Sequence, residues 1–440
     1  MIPQLGLYDF VLAFLYLFVI YVFALFYVRV KKQENPEYKY FLWALSTKLF
    51  GGIFFALFSI YYYKGGDSIF YFLASIGRVD RVLYGSLDNI KILFTPGQIL
   101  DELSYGYNYI FDTSDGFTMA VNTILMVILG MGNYLLTSIL FAFVSFFGLW
   151  FGYSNMTKIY PYASKSMLIG FFFIPTAILW SSGILKDTIT QGIIGWLLYS
   201  VSNIVIFNRK KILSIIIIIL GAFILFKLKP YILYVLIPCF FIWIQSSSKE
   251  LIKGSFIRII ILPVLMSVLL ISGYFLTTSL SQDAGKYSLE NVDQTLQGFR
   301  GWHTYLAETR DQSGYTLSEF DLTPTGLLKI APEALNVTFF RPYLWEARNL
   351  PTLLGAFEGL VLFIFFIYLI FKLRLLFFKL LFKSNEAFFM MLFAIIFGVV
   401  VGISSYNFGA LSRYKIPAEM FFVLSLTIIY SRYKEGNRHN

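Results

Sequence analysis

Cysteine, histidine and charge are all scarce in this chain, and each scarcity removes a class of function. A single cysteine, Cys239, excludes an intrachain disulfide framework and a zinc site built from cysteines. Two histidines, His303 and His439, are too few for a histidine-rich centre, so any metal ion would be held mainly by carboxylates. Charged residues make up 14% of the 440 positions, against about 25% in a typical soluble domain. Acids are the scarcer sign, with 25 Asp and Glu against 35 Lys and Arg, and the formal charge is +10. No soluble basic domain accompanies that charge, so nucleic acid is not an expected partner. The positive residues are better read as orientation signals and contacts for anionic headgroups of the membrane lipid.

What the chain has in excess is apolar surface. Hydrophobic residues make up 58%, and the mean hydropathy is +0.71, more than a soluble core can hide. Runs of nearly twenty apolar residues recur along it, each long enough to cross about 30 Å of hydrocarbon as a helix. They are apolar all round, which excludes the alternating pattern of barrel strands. The expected fold class is therefore an all-α polytopic membrane protein of about 11 transmembrane helices forming one integral membrane domain over 1–440. Crossings are expected at Leu7–Val28, Phe41–Tyr62, Tyr134–Tyr153, Met167–Ser182, Thr188–Phe207, Ile212–Phe226 and Tyr231–Ile244. Further ones are expected at Ile257–Thr277, Leu353–Phe371, Ala387–Ser404 and Ile416–Tyr430. The first run has no small-residue cleavage site and reads as a retained anchor. Thr118–Asn133 is short and interrupted by Gly130 and Gly132, and reads as a half-span or an interfacial helix rather than a crossing.

Lys and Arg predominate over acids in alternate links, beginning with Arg29-Val-Lys-Lys after the first run. The positive-inside rule then puts the N-terminus outside and the C-terminus in the cytoplasm. Two long polar loops, 63–117 and 279–352, fall on the outer side.

The first loop opens with Tyr61-Tyr-Tyr-Lys-Gly-Gly-Asp-Ser. The two glycines allow a tight turn and the close approach of a ligand, and Asp67 follows them at the membrane boundary. Asp67 has two readings: a cap for a helix starting at Ser68, which spacing alone favours, or a base or cation ligand beside a diphosphate. Trp180-Ser-Ser-Gly-Ile-Leu-Lys-Asp-Thr is a turn between two runs. There Lys186 and Asp187 are an interfacial pair, or Lys186 joins helix-start amides in an anion site. Lys227 and Lys229 read as snorkelling residues. The long second loop supplies Arg300, Arg310, Arg341, Glu346 and Arg348; Arg310 reads as solvated, and Arg341 and Glu346 as a partly buried pair or an anion contact. Arg413 and Lys415 stand at the mouth of the last run. Lys48, Glu358 and Glu419 fall within apolar runs; the two acids suit helix ends that reach headgroups, and Lys48 has no assigned role.

Gly65-Gly-Asp-Ser-x-x-Tyr after an early span resembles the acidic first outer loop of GT-C glycosyltransferases. Phe340-Arg-Pro-Tyr-Leu-Trp-Glu, Trp180-Ser-Ser-Gly-x-x-Lys-Asp and Asn407-Phe-Gly-x-Leu-x-Arg-Tyr-Lys-x-Pro resemble membrane proteins of bacterial surface-polysaccharide clusters, including Wzy-type and EpsG-type polymerases. The chain departs from GT-C in its extra N-terminal span, and lacks the paired arginine repeats of Wzy proteins. The resemblance implies a transferase or polymerase of the bacterial inner membrane, acting on polyprenyl-diphosphate-linked sugars beside other assembly proteins. In that reading Asp67 is the base, or the ligand of a divalent metal. Lys186, Arg341 and Arg413 hold the diphosphate, with Asp187, Arg300 and Lys415 beside the substrate, and Glu346 orients Arg341. No organic cofactor is implied. A flippase or exporter of lipid-linked oligosaccharide, or a non-catalytic assembly partner, is the alternative.

Overall fold

The computed structural model describes residues 2–85, 87–95, 111, 113–247, 314–321 and 323–437. In chain order the helices are α1 (Leu7–Lys31), α2 (Phe41–Leu57), α3 (Asp67–Leu83), α4 (Ser114–Leu129) and α5 (Tyr134–Ile159). Then come α6 (Ser164–Leu168), α7 (Pro175–Trp180), α8 (Lys186–Val205), α9 (Lys211–Leu228) and α10 (Pro230–Ser247). After the undescribed stretch follow α11 (Pro324–Phe340), α12 (Leu350–Leu373), α13 (Leu375–Lys383), α14 (Asn385–Ser405), α15 (Phe408–Tyr414) and α16 (Ile416–Gly436). No β-strand occurs among the described residues.

Among the described residues seven helices are long and apolar enough to cross a membrane: Leu7–Lys31, Pro36–Tyr63, Tyr134–Ile159, Lys211–Leu228, Pro230–Ser247, Leu350–Leu373 and Asn385–Ser405. Each coincides with an expected crossing. Of the remaining four, Ile257–Thr277 lies outside the described residues. Met167–Ser182 is not one helix: a π-turn over Ile169–Phe173 follows α6, Ile174 is extended, and α7 starts afresh at Pro175. Proline disfavours the α region at the preceding residue, and the extended Ile174 is where the run breaks. α8 and α16 are continuous but carry buried polar residues, among them Thr188, Thr190, Gln191, Asn203, Glu419 and Ser425. α4 has 16 residues, a rise of about 24 Å, and ends at the Gly130-Met131-Gly132 turn.

The 63–117 segment, expected as an outer loop, contains a helix. α3 occupies 17 of those residues and buries Ile69, Phe72, Leu73, Val79 and Val82. These recur at the three- and four-residue spacing of one helical face, and are diluted by enough charge to escape a search for apolar runs. Likewise α11 stands in the last part of the 279–352 segment.

The described residues divide into two compact units. Unit 1 comprises Met1–Met156, Ala177–Ser200 and Ile212–Pro230; unit 2 comprises Thr157–Thr176, Val201–Lys211 and Tyr231–Asn440. In unit 1, backbones approach through small residues, as they do where lipid rather than water surrounds the helices. Gly148 and Gly152 of α5 meet Gly192 and Gly195 of α8, and a Cβ at Gly148 would run into the Gly192 carbonyl. Gly51 and Gly52 of α2 similarly admit Ser182, Ala142 and the Ser138 carbonyl, and Ser138 Oγ donates to the Gly52 carbonyl at 2.8 Å. Because the Gly148 obstacle is backbone, Gly148→Ala is expected to cost about 1–3 kcal/mol. Thermal unfolding in detergent checks this. The control is Gly436→Ala, whose Cβ meets nothing within 4 Å and whose midpoint should not fall.

In unit 2, α14 repeats the device. Gly398 and Gly402 face α11, where Thr338 Oγ1 donates to the Gly398 carbonyl at 2.7 Å and Ala334 leaves room at Gly402. Around this contact Phe339, Phe340, Phe366 and Phe422 form a continuous ring cluster, the Phe339–Phe422 centroids standing 4.4 Å apart.

Candidate functional site

The unit 1 site begins with a turn that only certain residues can make. Lys64 is left-handed at φ 50, and Gly66 has φ 98 and ψ 174, a conformation open to glycine alone. Gly66 is the N-cap of α3, and Asp67 is its first helical residue. Asp67 is therefore not the cap of a helix starting at Ser68. It sits in the first turn, where the helix dipole favours its charge, and it is exposed. The position is fixed from below, because the buried Ser68 Oγ and Tyr134 OH are hydrogen-bonded at 2.8 Å.

Tyr71 lies one turn after Asp67 on the same face of α3, and feels the charges of both Asp67 and Lys186. Burial pushes the Tyr71 hydroxyl up to about 12, and Lys186 only partly offsets that shift. Lys186, the first residue of α8, forms an ion pair with Asp115 in the first turn of α4; its Nζ is 5.8 Å from the Tyr71 ring centre. Burial alone would favour neutral forms of both partners. Lys186 outweighs burial at Asp115 and holds its carboxyl below the ordinary value, while Tyr71 and Asp115 together hold the Lys186 amine above its own. Both side chains keep some exposure, 22% for Lys186 and 26% for Asp115. The arrangement offers an exposed carboxylate beside a phenol and a positioned ammonium.

The turn that carries Lys186 is supported by Lys48. This residue is buried in α2, and its ammonium donates to the Ser181 carbonyl and, at 3.0 Å, to Ser181 Oγ. An amine within an apolar run thus caps a helix end and fixes the turn leading into α8. Lys186 and Asp187 do not pair with each other. Asp187 is buried and binds Lys229 at 2.5 Å, so Lys229 is an interior partner and not a snorkelling side chain. Asp187→Asn leaves Lys229 buried opposite a neutral amide, and a loss of about 3–5 kcal/mol in unfolding free energy is expected. The Asp187→Asn/Lys229→Met double variant should recover part of that loss. An Asp187→Asn protein as stable as the parent, yet deficient in substrate binding, would instead make Asp187 a substrate contact.

In unit 2, Arg341 closes α11 and Glu346 follows in the turn after Pro342. The guanidinium grips the carboxylate in two bonds, Nε to Oε2 at 3.0 Å and Nη2 to Oε1, and Oε2 also accepts the Tyr343 amide at 2.7 Å. Tyr315, Tyr343 and Phe408 rings stand 5.5–5.8 Å from the guanidinium carbon, a partly buried aromatic box. Asn336 Nδ2 donates to the Tyr343 hydroxyl at 3.0 Å. Arg413 is half-buried on α15.

Lys415 is not at an open mouth. It is buried between Glu358 of α12 and Glu419 of α16, at 3.1 and 3.3 Å. Glu358 is further bound by the Thr176 amide at 2.7 Å and Thr176 Oγ1 at 2.8 Å. The two acids are interior partners of a lysine and do not reach for headgroups.

Among the expected site residues, then, Asp67, Lys186 and Asp187 belong to unit 1, and Arg341, Glu346, Arg413 and Lys415 to unit 2. Arg300, with His303 and Arg310, lies outside the described residues. Tyr71, present in the Gly65-Gly-Asp-Ser-x-x-Tyr motif but given no role, and Asp115 were missed as site residues. Tyr71 was findable as the residue four after Asp67, and Asp115 only through the fold, being 71 residues from Lys186 in sequence. Among the described residues no group of three or more His, Cys, Asp or Glu side chains could hold a metal ion. No family model, curated protein or solved structure matches the chain.

Proposed function

We propose that the protein is a membrane glycosyltransferase or polymerase that takes sugars from polyprenyl-diphosphate carriers during assembly of a bacterial cell-surface polysaccharide. The observation that carries the reading is the unit 1 cluster: an exposed carboxylate at a glycine-built helix start, one turn from a tyrosine that contacts a lysine held by Asp115. Asp67 would take the proton of an acceptor hydroxyl. Lys186, with the helix-start amides around it, would attract the diphosphate leaving group, whose charge grows as the glycosidic bond breaks. Asp115 fixes the lysine in place before substrate arrives. In this reading the remaining runs bring the crossings to eleven, the N-terminus is outside and the cluster faces the outer side of the inner membrane.

The test is mass analysis of lipid-linked glycans in cells lacking the protein. Loss of one sugar indicates single transfer, and accumulation of one unpolymerised repeat unit indicates a polymerase. Unchanged lipid-linked species on the cytoplasmic side, with none exported, would favour a flippase or exporter. One observation supports that second reading: ionisable groups buried near predicted crossings, such as Lys415 between its two glutamates, are common in transporters.

A further inference from the structure

The Glu358–Lys415–Glu419 triad contains one more acid than base, and its two acids are unequally served. Glu358 receives three donors: the Thr176 amide, the Thr176 hydroxyl and the Lys415 ammonium. Glu419 receives the ammonium alone, at 3.3 Å to Oε2 and 3.4 Å to Oε1, and Oε2 makes no hydrogen bond. Glu419 and Lys415 are each 1% exposed and Glu358 is 6% exposed, so the triad lies out of reach of bulk solvent. With both acids ionised, a surplus negative charge would be buried on the carboxylate with the fewest donors, an arrangement that proteins avoid. A proton on Glu419 removes the surplus and turns an unserved acceptor into a donor.

Among the described residues, the elements around α16 bring no other acid to this point. Glu386, at the start of α14, is bound by Tyr160 at 2.5 Å and Trp243 at 3.0 Å. The stretch 161–173 carries Lys165, and α13 carries Lys379 and Lys383, all three exposed. Arg413 is on α15, two residues before Lys415.

We propose that the triad is a proton-binding site, in which Glu419 carries one exchangeable proton while Glu358 and Lys415 remain an ion pair. The ligand is a proton, and the inference stands independently of the unit 1 site and of the reaction assigned to it.

Infrared spectroscopy of the full-length protein in lipid at neutral pH tests this directly, through the carbonyl stretch of a protonated carboxylic acid. The expected result is a band that shifts in D2O and is lost in Glu419→Gln. Since glutamine has the shape of the protonated acid, Glu419→Gln should also keep the parent's unfolding midpoint, whereas Glu358→Gln should lower it. No band, a band that survives in Glu419→Gln, or one unmoved by D2O overturns the proposal. So does a Glu419→Gln protein that fails to fold. The reverse order of midpoints would move the proton to Glu358 and overturn the assignment.

Discussion

Asp67→Asn is expected to abolish glycan assembly while leaving expression and folding intact. The substitution keeps the shape of the side chain and removes its charge. If Asp67 only complements the dipole of α3, losing that charge costs about 0.3–1 kcal/mol, within the tolerance of a folded protein. If it accepts the proton of the acceptor hydroxyl, losing a positioned base slows the reaction by about 10²–10⁴-fold. The two readings thus differ by orders of magnitude in product. Asp80→Asn is the matched control, since Asp80 lies on the same helix thirteen residues on, about 20 Å away, and should support normal assembly. The measurement is surface polysaccharide from cells in which the variant replaces the parent at equal abundance. Normal amounts from Asp67→Asn cells would reduce Asp67 to a first-turn acid and withdraw the main support for transferase chemistry.

Lys415→Met is expected to be the most destabilising single substitution in unit 2. It leaves Glu358 and Glu419 facing each other in a buried site with no cation between them. Removing one partner of a buried ion pair typically costs about 3–5 kcal/mol, because the charge left behind is neither solvated nor paired. That is a large fraction of the roughly 5–15 kcal/mol that holds a domain together. Low yield and a lowered unfolding midpoint in detergent are the expected readouts. Converting both acids as well, in Glu358→Gln/Lys415→Met/Glu419→Gln, should recover much of the loss by removing every buried charge. If Lys415→Met instead folds normally and fails only in glycan assembly, the lysine serves substrate and the triad is not structural.

The seven long helices were legible in the sequence because a membrane crossing is written locally: an uninterrupted apolar run of sufficient length is the whole signal. α3 was obscured for the complementary reason. Its buried residues are spaced along one face, and its mean apolarity is diluted by Asp67, Arg78, Asp80 and Arg81 on a helix read as loop. The Met167–Ser182 run misled in the opposite sense, since its composition satisfies a span while Pro175 and the π-turn before it divide the helix.

For the candidate site the division is similar. Asp67, Lys186, Arg341 and Glu346 could be picked out by residue type and by the glycines, aromatics and proline beside them. The Arg341–Glu346 pair could even be anticipated, because its members are five residues apart. What each charge does was decided by partners far along the chain: Asp115 for Lys186, Lys229 for Asp187, Ser181 for Lys48, and Glu358 with Glu419 for Lys415. Sequence alone determined that this is a helical membrane protein, since that property sums over residues and needs no knowledge of contacts. Tertiary structure decided which ionisable groups stay open to a ligand and which are interior pairs, because a buried charge is tolerable only opposite its partner, and that pairing is a property of the packed helices.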